Sequence, residues 1–267
     1  MFHGLDNRFL YSAYQIHSTF VNIEGDQKWC SGTGFWMKDR DSKMILITNR
    51  HVLDIAYSDN ENVGYSLQNL VVSGKAISHC SKRPEIDQKW SVDISQIKLS
   101  KDGKNDIACL IHPTVTAFQG SEEQVIDYWI PRDLFATKND FEASFSVCDF
   151  VAYPGFPPWY DKRQNRPILR TGTISSDPRY DYSWSSDYEG ECVAYEAFSY
   201  GGSSGGPVFA VQKGPKPGAG ISFPGYRPLK LIGINSGHLP VAKNEKNIHS
   251  GISLLYKASA ILDIIDA

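Results

Sequence analysis

A chain of 267 residues with 27 Lys and Arg against 30 Asp and Glu carries a net charge of −3, so it offers no broad basic surface for a nucleic acid to grip. A hydrophobic fraction of 41% suffices for a packed core and argues against wholesale disorder. Twenty-two Gly, 14 Pro and 12% aromatic residues favour short strands and tight turns over long helices.

In chain order, Tyr11–Ile23 is rich in β-formers and opens a series of short strands. Gly32–Met37 and Met44–Asn49 follow, parted by the charged turn Lys38–Lys43. Asn69–Ala76, Trp90–Leu99 and Ile107–His112 complete six strand candidates within residues 1–118. Residues 119–142 read as a connector, in which Ser121–Asn139 fits a helical turn or two through Ile126, Trp129, Ile130, Leu134 and Phe135. Residues 143–267 hold six more candidates: Ser144–Tyr153, Ile168–Ser176, Val193–Ser199, Pro207–Gln212, Leu229–Asn235 and Ile252–Tyr256. Lys213–Pro228 reads as a long hairpin loop. Ala258–Ile265 fits a short closing helix.

An α/β sheet would need helical crossovers of about a dozen residues between strands, and amphipathic segments of that length are missing. The expected class is therefore all-β, as two antiparallel six-stranded units. No run approaches 18 apolar residues, so no membrane span is expected. Met1–Leu10 lacks a basic segment leading into an apolar core, so no secretion signal is visible. The five cysteines, Cys30, Cys80, Cys109, Cys148 and Cys192, are odd in number and widely spaced, with no CxxC pair. A zinc site from them is not expected. They read as buried, reduced thiols of a cytoplasmic protein.

Three places carry chemistry. Leu46–Val52 is a β-run ending in a polar turn with His51, and Asp106 opens the apolar strand Ile107–Leu110. In Gly201–Val208 four glycines surround Ser203 and Ser204. A serine hydroxyl is a weak nucleophile until an imidazole takes its proton. The imidazole in turn needs a carboxylate to fix its tautomer and stabilise its cation. Glycines let the chain turn tightly and aim backbone N–H groups at a developing oxyanion. Gly202–Gly206 also fits the G-x-S-x-G elbow of α/β-hydrolases. That fold needs an acid and then a histidine after Ser204, whereas Asp263 and Asp266 follow the last histidine, His249, and only Glu245 closely precedes it.

Gly32–Phe35, Thr48–Val52, Asp106–Ala108 and Gly202–Pro207, in that order, resemble the signature blocks of the chymotrypsin/trypsin-like serine proteases, and most closely those of the bacterial HtrA/Deg kind without a PDZ domain. The resemblance spans residues from about 15 to 260. It implies two six-stranded β-barrels with the active site in the cleft between them. Ser204 would be the nucleophile, His51 the base and Asp106 the orienting carboxylate, with the N–H groups of Gly202 and Ser204 as the oxyanion hole. Gly233–Gly237 resembles the wall of the pocket for the residue before the scissile bond (P1). There Ser236 would sit against Asp106, and Asn235, Gly237 and His238 would line the substrate site. Phe198 and Tyr200 fall where the pocket floor is expected. No metal or organic cofactor is implied, and the partners are a protein or peptide substrate and a possible protein activator.

Two departures stand out. Ser203 replaces the aspartate that zymogen-activated relatives place before the nucleophile, which argues against that activation route. No aspartate stands at the floor to bind Lys or Arg, so an apolar or small P1 residue is expected, while His238 leaves an acidic one open. The run Lys162, Arg163, Arg166 and Arg170 reads as a solvated loop, and Tyr180–Glu191 as an exposed one. A latent peptidase, or an inactive binding module of the same fold, is the alternative to an endopeptidase.

Overall fold

The computed structural model describes residues 5–118, 125–215, 225–241 and 248–267. The first half contains helix α1 (Asn7–Tyr11), then β1 (Ala13–Val21), β2 (Gln27–Lys38), β3 (Met44–Thr48), helix α2 (Arg50–Leu53), β4 (Ser66–Ile77), β5 (Pro84–Val92), β6 (Ile97–Leu99), β7 (Ala108–Ile111) and β8 (Val115–Ala117). These strands form one curled sheet in the order β6-β7-β3-β2-β1-β4-β5-β8. β9 (Ile130–Pro131) adds to β2 in parallel, Met37 opposite Ile130. The second half holds helix α3 (Lys138–Ala143), β10 (Phe150–Gly155), β11 (Ile168–Ile174), β12 (Cys192–Glu196), β13 (Pro207–Ala210), β14 (Lys230–Pro240), β15 (His249–Lys257) and helix α4 (Ala258–Ile265). Its six strands close into a barrel, β10-β11-β12-β15-β14-β13.

The all-β class and the two-part chymotrypsin-like layout are as expected, with one correction. The first half is a nine-stranded sheet with ends at β6 and β8, not a closed six-stranded barrel. The expected strand Trp90–Leu99 is interrupted because Asp93 accepts bonds from Ser95 N–H (3.0 Å) and Ser95 Oγ (2.7 Å), an Asx turn that ends β5. Residues 144–149 are not strand either. α3 starts with a reciprocal cap between Thr137 and Asp140, and Cys148 takes a positive φ of 66° before β10 begins. The connector supplies a 3₁₀ turn at Arg132–Leu134. Residues 121–124 of that expectation, and 216–224 of the long hairpin loop, lie outside the described residues.

Strands β2 and β3 explain the sequence's continuous apolar runs. Successive side chains on a strand point to opposite faces. Phe35, Met37, Ile45 and Ile47 enter one core, and Trp36 and Leu46 enter another inside the first half. The first core continues without a break into the second barrel through Tyr153, Tyr195, Phe209 and Ile234. Helix α1 reaches the same core, Phe9 packing edge-on against Phe209 at 5.1 Å. Helix α4 packs against β7 of the first half and against β14 and β15. All five cysteines are free. Only Cys109 and Cys192 are buried; Cys80 and Cys148 are exposed and Cys30 lies between, so the expectation of five buried thiols was too broad.

Candidate active site

β3 ends at Thr48, and the chain turns through Asn49 into the single-turn helix α2, which carries His51. Asp106 precedes β7, the strand paired with β3, so one strand pair delivers both groups. Asn49, fully buried, donates from Nδ2 to the Asp106 carbonyl (2.6 Å) and locks the two turns together. Asp106 Oδ1 accepts the His51 backbone N–H (2.9 Å), and Oδ2 faces His51 Nδ1 (2.6 Å). Ser236 Oγ, from β14 of the second barrel, donates to the same Oδ2 (2.7 Å). Burial alone would raise the Asp106 carboxyl. The charge and hydrogen bonds of His51, with the Ser236 bond, instead hold it below the ordinary range. Burial opposes a proton on His51, and the adjacent carboxylate overrides this and raises its pKa above the ordinary histidine value.

Ser204 sits on the loop between β12 and β13, gripped from the first half by Thr33. Thr33 N–H donates to the Ser204 carbonyl (2.7 Å), and Thr33 Oγ1 donates to the Gly202 carbonyl (2.6 Å). Thr48 Oγ1 in turn holds the Thr33 carbonyl (2.8 Å). Tyr200–Ser203 form a turn closed by Ser203 N–H to the Tyr200 carbonyl (3.0 Å), with Gly202 in its third position at φ 87°. That is type II geometry, which calls for glycine there. A Cβ on Gly202 would also collide with the Phe156 carbonyl. Among the described residues no group accepts from the N–H of Gly202 or of Ser204. The Ser204 hydroxyl donates to the Ser236 carbonyl at 3.3 Å.

Asn235, expected among the substrate contacts, is fully buried and serves the loop instead. Its Oδ1 accepts Tyr195 OH (2.6 Å), and its Nδ2 donates to Ser199 Oγ (2.9 Å) and to the Ser203 carbonyl (2.9 Å). Ser236, Gly237 and His238 lie just beyond the last β13–β14 pair, Pro207 opposite Ile234, so that edge of β14 carries no strand among the described residues. Phe198 is exposed and Tyr200 half-buried; Phe198, Tyr200 and His238 all gather around His249. Asn105 is a positioning residue that the sequence reading missed. Its Oδ1 accepts Glu191 N–H (2.8 Å) and its Nδ2 donates to Glu191 Oε1 (3.2 Å), tying the Asp106 turn to the second barrel. A cavity of about 700 Å³ lies on that side between Lys98–Asp102 and α4 and includes none of His51, Asp106 or Ser204.

A family described as "Trypsin-like peptidase domain" matches residues 32–215, which include His51, Asp106 and Ser204. The chain belongs to the trypsin-like peptidase domain family. Among solved structures, the thermostable serine protease AL20 from an extremophilic microorganism is 15% identical, with a TM-score of 0.53 over 96% of this chain and 95% of its own. The protease Anisep from Arthrobacter nicotinovorans is 14% identical, with a TM-score of 0.52 over 96% of this chain and 94% of its own. At these identities the likeness is one of fold. Comparison with curated proteins gives no match. In this trypsin-like chain, the matched segment begins at Gly32, so Thr33 and its grip on the Ser204 loop fall inside it.

Proposed function

We propose that the protein is a serine endopeptidase that cleaves peptide bonds through Ser204, His51 and Asp106. The carrying observation is the bonded relay from His51 Nδ1 through Asp106 Oδ2 to Ser236, whose carbonyl holds the Ser204 hydroxyl, beside two uncommitted N–H groups on the nucleophile loop. Ser204 Oγ attacks the scissile carbonyl carbon while His51 Nε2 takes the hydroxyl proton. The N–H groups of Gly202 and Ser204 hold the oxyanion. His51 then gives its proton to the leaving amine, and a water, deprotonated by His51, releases the acyl group. Asp106 keeps the proton on Nδ1 and offsets the imidazolium charge; it does not take the proton itself.

The free edge of β14 at Ser236–His238 suits a substrate strand laid alongside it. Such a strand would take the Ser236 carbonyl with its own N–H and so release the Ser204 hydroxyl to His51. The second reading is a latent peptidase that awaits a protein activator. It rests on the same 3.3 Å bond, which turns the Ser204 hydroxyl towards Ser236. Incubation with a peptide library, read by mass spectrometry, tests the proposal. Cleavage by the native chain and none by Ser204→Ala supports it. Equal cleavage by both would assign the activity elsewhere.

A further inference from the structure

Arg170 does not lie in a solvated loop. It is a half-buried residue of β11, and its guanidinium carbon stands 5.0 Å from the ring centre of Tyr200 and 5.9 Å from those of Trp159 and Tyr153. Aromatic faces hold a cation there without neutralising it. Its Nη1 is shut off from solvent and has no hydrogen-bond partner among the described residues. Among the described residues no carboxylate lies within ion-pairing distance, although Glu196 lines the same shallow groove of about 440 Å³. An unsatisfied charged donor cut off from solvent is unfavourable, so this nitrogen calls for an acceptor, and an anion suits it best.

The groove meets the expected floor of the P1 pocket at Phe198. Tyr153 OH donates to the Phe198 carbonyl (3.1 Å), which ties the ring under Arg170 to the pocket floor. The Tyr200 ring lies 5.9 Å from His249, the Phe198 ring 5.0 Å, and His238 stacks on His249 at 4.3 Å. His249 is not an anion donor. Its two ring nitrogens face the N–H groups of Ser199 (3.0 Å) and Gly251 (2.8 Å); a neutral ring can accept one of them and an imidazolium neither. Burial, with the charges of His238 and Arg170, pushes its pKa down to about 4. His249 therefore acts as a neutral wedge that sets the His238 ring at the free edge of β14. A P1 lysine would meet Arg170 head-on, and an apolar P1 side chain would leave it unpaired. A carboxylate would satisfy it with paired N–H···O bonds.

We propose that this peptidase selects an acidic P1 residue, glutamate or aspartate, whose carboxylate is bound by Arg170 with His238 at the pocket rim. The proposal rests on the peptidase reading above for the location of the P1 pocket. It is tested without turnover, on the Ser204→Ala chain, by calorimetric binding of product-like peptides that end in Glu or in Gln and are otherwise identical. The Glu peptide should bind about 10- to 100-fold more tightly, the range of a charge-assisted bond. Arg170→Gln in that background should bring the ratio close to one, and Arg170→Lys, which keeps the charge and serves as the folding control, should retain part of it. Equal binding of the two peptides, no binding of either, or a Glu preference that survives Arg170→Gln would overturn the proposal. Failure of an active-site probe to label Ser204 would instead count against the triad, since the Glu-to-Gln ratio reads the pocket alone.

Discussion

Asp106 is engaged on every side: Oδ1 by the His51 N–H, Oδ2 by His51 Nδ1 and Ser236 Oγ, and its carbonyl by Asn49. These contacts keep it ionised, and its charge raises the His51 pKa. The consequence for activity has a definite sign. His51 works as a base only when neutral, so the rate falls as pH drops through its raised pKa. The acid limb of a fluorophosphonate labelling profile should therefore lie above about 6.5, the ordinary histidine value. A limb below that value would mean the pair is not coupled as described. Asp106→Asn keeps the shape but offers an amide to Nδ1 and favours the wrong tautomer. It should lower peptide-cleavage kcat by about 10⁴. At this scale the pairing of His51 with Asp106 was legible, because both stand in short blocks at the ends of paired strands. The part that Asn235 plays in holding the loop was not legible, because its side-chain partners Tyr195, Ser199 and Ser203 are all distant from it in the chain.

The Ser204 loop is an element built by both halves of the chain. Gly205 has φ 89°, and a Cβ there would run into the Thr33 carbonyl and Thr48 Oγ1. Gly205→Ala should cost about 1–3 kcal/mol from backbone strain alone, read as a lower urea midpoint, and should slow labelling of Ser204. An unchanged midpoint and rate would show that the loop tolerates a different path. Asn235→Ala removes three buried bonds: Tyr195 OH loses its acceptor and Ser199 Oγ its donor, while the Ser203 carbonyl keeps only the Gly206 N–H. It should destabilise the chain by about 2–4 kcal/mol, again measured in urea. The strands themselves were largely visible as apolar runs between turns. The clamp contacts were not, because they join distant segments: Thr33 to Gly202 is 169 residues apart, and Asn105 to Glu191 is 86. No local pattern carries that information.

Over the whole molecule, the two halves share one apolar core, from Phe35 and Ile47 to Tyr195, Ile234 and Ile261. Helix α4 seals it, burying Ala258, Ala260, Ile261 and Ile264. Ile261→Ala should therefore cost about 2–5 kcal/mol and lower one common transition rather than split it, as followed by tryptophan fluorescence and circular dichroism in parallel. Two separated transitions would show that the halves fold apart. The all-β class, the two-part plan and the closing helix were legible in the sequence. The nine-stranded open first sheet was not, since its short strands β6, β8 and β9 have only two or three residues each and gain their place by pairing. Across the two halves, Ser236 links the Ser204 hydroxyl, through its carbonyl, to Asp106, through its Oγ. The most direct test is labelling the native chain and Ser204→Ala with a fluorophosphonate probe. The account predicts that the native chain is labelled at Ser204 and the variant is not; a native chain that stays unlabelled, or a variant labelled equally, would contradict it.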